Sequence, residues 1–141
     1  LLFFVAIGIK LGLLTIIIAH TVFCIPFAYL PIRARLEGMD PSLTEAANDL
    51  YANEWKAFRR VTLPLLWPGI LSGAMLSFII SLDDFVISYF VGGAGATTLP
   101  IYIFGMIRIG ITPEVNAISA MMLLVSIIFV SVSFLIDRIR Y

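Results

Sequence analysis

Charged and apolar positions are segregated along this chain. Residues 33–60 carry ten of the eighteen charged side chains, whereas residues 11–32, 61–82, 85–107 and 115–136 carry none. A helix crossing the hydrocarbon of a bilayer needs about 20 predominantly apolar residues. The first, second and fourth uncharged stretches have that length. The third is interrupted by Gly92-Gly93-Ala94-Gly95-Ala96-Thr97-Thr98 and then Pro100, and glycine runs with X-Pro steps break helices. The pattern therefore predicts three spanning helices, near 11–32, 67–90 and 114–136. A loop at 91–113 joins the last two and holds a short helix over 99–110. Thr112-Pro113-Glu114 predicts the start of the third span, with Thr112 capping and Pro113 in the first turn. Residues 1–9 are apolar but too short to span, and are expected to end an earlier helix, so that the chain is a fragment.

Composition agrees with this reading. Of 141 residues, 61% are hydrophobic and 13% charged, and nine basic side chains balance nine acidic ones. A soluble domain carries about 25% charged residues. A disordered chain, a nucleic-acid binder running on net positive charge and a disulfide scaffold are all excluded, the last because Cys24 is the single cysteine. Buried helices of a large soluble protein are the competing reading, and three uncharged runs of this length count against it. Lys and Arg near the ends of spans set orientation. Arg33, Arg35, Lys56, Arg59, Arg60, Arg138 and Arg140 fall on one side, against Lys10 and Arg108 on the other. Residues 33–65 and the C-terminus are therefore expected in the cytoplasm, with loop 91–113 outside.

The segment 37–60 reads EGMDPSLTEAANDLYANEWKAFRR. Asp40-Pro41 is a helix-start signal, and Ser42 with Glu45 matches a capping box. A helix starting near 41–43 would present Leu43, Ala46, Ala47 and Leu50 on one face, at the i, i+3, i+4, i+7 spacing. Asn53 is placed to cap a second short helix carrying Trp55 and Phe58, with Pro64 interrupting the pattern before the next span. Such a pair lies on lipid, packs on its own helices or docks a soluble partner. Lipid-surface helices are rich in Lys and Arg; residues 42–54 have neither, which leaves docking ahead of internal packing.

Glu45-Ala46-Ala47, followed by Phe58, Val61, Leu63, Pro64 and Pro68, resembles the EAA loop of ABC importer permeases. Tyr51 stands where that pattern has glycine, so the turn between the two helices is expected at Ala52-Asn53. Phe23-Cys24-Ile25-Pro26-Phe27, Ser81-Leu82-Asp83-Asp84-Phe85 and Pro113-Glu114-Val115-Asn116-Ala117 extend the likeness to the permease subunits of spermidine/putrescine importers, over essentially the whole chain. The resemblance implies an all-α integral membrane fold, the C-terminal half of a six-helix type I importer permease. It also implies that residues 41–60 couple to a cytoplasmic ATPase dimer through Glu45, Ala46, Ala47, Leu43, Leu50 and Phe58. A second permease subunit and an external polyamine-binding protein would complete the assembly. ATP and magnesium would belong to the ATPase. This chain would need no cofactor or metal of its own, and it would not be an enzyme.

Asp83 and Asp84 are the carboxylates out of place. Counted from Trp67 they lie about 25 Å along a helix, at 1.5 Å per residue, and an ionisable residue inside a membrane marks a functional site by default. Ser77, Ser81, Asp84 and Ser88 fall at spacings of four, three and four, a polar stripe on one helical face. Asp84 is therefore expected to line a hydrated path, with Ser81 and Ser88 beside it and Tyr89 against the alkyl portions of the cargo. Asp83, flanked by apolar residues, is expected to hold a fixed partner, Arg108 or a group on a companion subunit. An electronegative path suits a cationic cargo. Another ABC solute (a ferric ion, sulfate or a sugar) and a non-transporting membrane scaffold are the alternatives. His20, with Thr21 and Cys24 near it, has too few ligands for a metal site and reads as a hydrogen-bonded packing residue. Pro26 is expected to kink the first span. Gly69, Gly73 and Ala74 predict a close helix contact. The glycines at 92–98 lack a phosphate-loop pattern.

Overall fold

The computed structural model describes residues 1–49, 53–110 and 112–139. Among them every regular element is a helix: α1 (Leu2–Ala6), α2 (Leu13–Glu37), α3 (Ser42–Asp49), α4 (Glu54–Ala57), a π-helical turn (Phe58–Thr62), α5 (Leu63–Asp83), α6 (Val86–Val91), α7 (Leu99–Ile109) and α8 (Pro113–Ile139). Three helices are long and apolar enough to cross a membrane. A compact soluble protein of 15.6 kDa exposes about 7,200 Å²; this chain exposes 10,216 Å². Its apolar side chains face outward, as those of a membrane subunit do.

The expected spans are all present, with different ends. The first runs on through Arg33 and Arg35 to Glu37, passing Pro26 and Pro31 without interruption. The second differs more. Pro64 does not interrupt it: it stands directly after the π turn, and Leu63–Asp83 continues upstream through that turn to Glu54. At its other end it stops at Asp83, where Asp84 takes ψ 114° and the chain restarts as α6. A single helix over 67–90 is thus corrected to two helices with a break at Asp84-Phe85.

The long antiparallel pair α2 and α5 forms the frame. His20 meets Ser81, Cys24 meets Ser77, Ala28 meets Gly73, Pro31 meets Gly69 and Arg35 meets Leu65. Steps of three or four on both helices keep one face of each on the other. The glycines set the separation: a Cβ on Gly73 would lie 2.7 Å from the Ala28 carbonyl oxygen, and one on Gly69 3.0 Å from that of Pro31. Ala74, expected on the same face, is exposed. At the far end of the pair Thr15 is fully buried. Its hydroxyl accepts from the Gly12 N–H and donates toward the carbonyls of Gly12 and Val91, the latter at 2.6 Å. Phe4, Ile16 and Val91 form a small apolar core there.

Residues 92–98 are a loop, as the glycines predict. Gly93 has φ +63°, and a Cβ on it would lie 2.6 Å from the Leu11 carbonyl oxygen, so the loop folds onto the start of α2. α7 follows and rests on α8, which packs on α5 through a stacked Phe78–Phe129 pair 4.7 Å apart. α8 starts at Pro113, with the Thr112 carbonyl accepting from the Val115 N–H.

Candidate functional site

The break between α5 and α6 brings four polar side chains together. A helix start leaves its first N–H groups without partners inside the helix. At α6 the Asp84 carboxylate supplies them, accepting from Ser88 N at 3.0 Å and Ile87 N at 3.4 Å. Its Oδ2 also lies 3.3 Å from His20 Nε2. The same imidazole reaches Ser88 Oγ through Nε2 at 3.1 Å and Ser81 Oγ through Nδ1 at 2.7 Å. His20 and Asp84 are each 12% exposed, and Ser88 is fully buried. His20 is therefore the hydrogen-bonded packing residue the sequence suggests, with partners 61 and 68 positions away.

The polar stripe is real, but it faces α2. Gly69, Gly73, Ser77 and Ser81 all contact α2, so the serines continue the small-residue seam at a spacing of four. Beyond Asp83 the helical register is lost, and Asp84 and Ser88 rejoin the seam through the break.

Asp83 lies on another side. It is exposed, and lines a cavity of about 490 Å³ with Ile79, Phe85, Phe104, Ser119 and Ser126. No ion pair joins it to Arg108 among the described residues; the Arg108 guanidinium lies 5.0 Å from the centre of the Phe104 ring. Phe85 packs on Phe104 at 4.5 Å and stacks on Tyr89 at 5.3 Å, with Tyr89 itself exposed. Within this chain, then, Asp84 has fixed partners and Asp83 is the open carboxylate, the reverse of the expected division. The difference arises because the sequence spacing assumed one continuous helix.

The segment between α2 and α5 has another character. The Ser42 N–H donates to Asp40 Oδ1 at 2.9 Å and starts α3. The Ser42 backbone N–H, and then its hydroxyl, hold the Asp40 carboxyl below the usual carboxylate range. Glu45, Ala46 and Leu43 are exposed, Leu43 by 44%. The Ala47 side chain, Leu50, Tyr51 and Ala52 lie outside the described residues, and with them the expected turn at Ala52. Asn53 caps α4 as the sequence suggests, accepting from Lys56 N at 2.9 Å. Trp55, 67% exposed, stacks on the exposed Phe58 with ring centres 5.8 Å apart.

The model of the family of binding-protein-dependent transport system inner membrane components matches residues 1–141. The spermidine/putrescine transport system permease protein PotC of Haemophilus influenzae is 44% identical over 135 residues, covering 96% of this chain and 52% of that protein. PotC of Escherichia coli K12 is 41% identical over 138 residues, 98% of this chain and 52% of that protein. The putrescine transport system permease protein PotI of the same strain is 47% identical over 112 residues, 79% and 40% respectively. The chain spans about half the length of the PotC relatives it matches.

Proposed function

Because the chain belongs to the family of binding-protein-dependent transport system inner membrane components, we propose that it forms part of the permease subunit of an ATP-driven importer whose cargo is a cationic polyamine. The observation that carries the cargo is the break at Asp83-Asp84. Two carboxylates stand side by side in a membrane helix pair whose flanking residues, 61–82 and 85–107, hold no other charge. Carboxylates there replace part of the water that ammonium groups lose on leaving solution. Asp83, open to the aromatic cavity, is the first contact. Phe85, Phe104 and Tyr89 suit the methylene chain and attract ammonium groups through their ring faces. Sulfate or another anionic solute would be repelled by the same pair. The names of PotC and PotI point to the same cargo class.

Residues 33–65 are assigned to the cytoplasm and loop 91–113 to the outside, following the Lys/Arg distribution. The exposed face of α3 and the Trp55–Phe58 stack are the surface for an ATPase dimer, which would bind ATP and magnesium. A second permease subunit and an external binding protein complete the importer. Coupling follows from the covalent geometry. Glu54–Asp83 runs as one 30-residue helical rod, about 45 Å at 1.5 Å per residue, from the docking segment to the acidic break. A displacement of its first turns moves the break. The π turn at Phe58–Thr62 lies at the docking end of that rod, a kind of turn frequent at functional sites.

Uptake of labelled spermidine and putrescine by the assembled complex, carrying the full-length subunit, tests this reading. Asp83→Asn should lower initial uptake roughly tenfold or more, the scale of losing a hydrogen bond to a charged group. Unchanged uptake of both polyamines rejects the cargo assignment.

A further inference from the structure

Three elements converge on one imidazole: Ser81 from α5, Asp84 from the break and Ser88 from α6 all reach His20 of α2. An ionised carboxylate only accepts hydrogen bonds, so Asp84 at 3.3 Å favours a proton on Nε2. Nδ1 then faces the Ser81 hydroxyl at 2.7 Å. A hydroxyl both donates and accepts. Ser81 thus satisfies Nδ1 in the neutral imidazole by donating, and in the imidazolium by accepting. The site can take a second proton without losing a hydrogen bond.

That proton changes what Asp84 sees. Beside a neutral imidazole Asp84 keeps its charge and adds to the negative field at the neighbouring Asp83; beside an imidazolium that charge is cancelled. The titratable groups facing His20 are Asp84 and, one turn along its own helix, Cys24. Asp83 turns to the aromatic cavity. Other charged side chains of α2 and of the Glu54–Asp83 rod lie at the opposite end of the pair, at Arg33, Arg35, Glu37, Glu54, Lys56, Arg59 and Arg60. We propose that His20 is a positioning residue for Asp84, and that a proton on its imidazole cancels the Asp84 charge that strengthens cation binding at the adjacent, exposed Asp83. The inference rests on the polyamine reading and adds a control to it.

The experiment measures KM and Vmax for spermidine uptake by the reconstituted full complex, with pH varied from 5.5 to 8 on the side from which cargo binds. The wild type should show KM falling roughly fivefold as pH rises, with a smaller change in Vmax. His20→Gln, which keeps an amide to hydrogen-bond but cannot titrate, should flatten KM to within about 1.5-fold over the same range. His20→Asn, a shorter amide that likewise cannot titrate, should flatten KM in the same way. A wild-type slope retained in His20→Gln overturns the inference. Should His20→Gln fail to assemble, a wild-type slope retained in His20→Asn overturns it. Wild-type uptake with a flat KM removes the inference alone, whereas no uptake of spermidine or putrescine removes the polyamine reading and the inference with it.

Discussion

The two ends of the Glu54–Asp83 rod are built in opposite ways. At the acidic break, polar groups are buried and matched: His20, Ser81, Asp84 and Ser88 satisfy one another across three elements. At the other end, apolar groups are exposed and unmatched: Leu43, Trp55 and Phe58 stand out from short helices. A buried polar cluster is tolerated where its hydrogen bonds are complete, and an exposed apolar surface marks an interaction site. Apart from the exposed Asp83, the first end is completed within the chain, whereas the second leaves its apolar groups uncovered. The rod joins a hydrogen-bonded polar cluster at one end to an exposed apolar surface at the other.

This contrast predicts a graded series, read as apparent stability of the detergent-solubilised full complex and as ATPase retention. Gly73→Leu should be the most damaging, since its first added carbon would lie 2.7 Å from the Ala28 carbonyl oxygen. The overpacking cost is about 3 kcal/mol, with loss of assembled protein in membranes; wild-type yield would show that the seam is not close-packed. Thr15→Val follows, leaving the buried Val91 carbonyl without its donor at a cost of about 1–2 kcal/mol, seen as a lower unfolding midpoint. Asn53→Ala removes the cap on α4 and should cost about 1 kcal/mol. Its midpoint shift should be smaller than that of Thr15→Val, and the reverse order would contradict the contrast between the two ends. Leu43→Ser should change stability least, within about 0.5 kcal/mol for an exposed position. Yet it should release the ATPase on co-purification, roughly tenfold in affinity. Undiminished ATPase retention would show that this face of α3 is not the docking surface.

Much of the fold was legible in the sequence for a simple reason. Membrane helices must satisfy their backbone internally, so an uncharged run of sufficient length determines its own structure. The three spans, the glycine loop, the helix over 99–109 and the Asn53 cap follow from such local rules. The ends of the spans were less legible. Pro64 and Pro68 suggested a late start for the second span, and the helix accommodates both. The break at Asp84-Phe85 has no local signal such as glycine or proline; its only cue is Asp84 with a serine four residues on, from whose N–H the carboxylate accepts.

The candidate site divides along the same line. The identity of its residues, two carboxylates among uncharged neighbours, was set by sequence. Which carboxylate is held and which is open was decided by the tertiary structure. The spacing of Ser77, Ser81, Asp84 and Ser88 fixed that they share a direction, but only the packing of α2 against α5 showed that this direction is a helix seam. Periodicity is a property of one helix, whereas the partner of a buried polar group is set by whichever helix covers it. His20 lies more than sixty residues from the serines it joins. Sequence alone placed the two charges between long uncharged stretches; only the crossing of α2 over the break paired Asp84 and left Asp83 exposed.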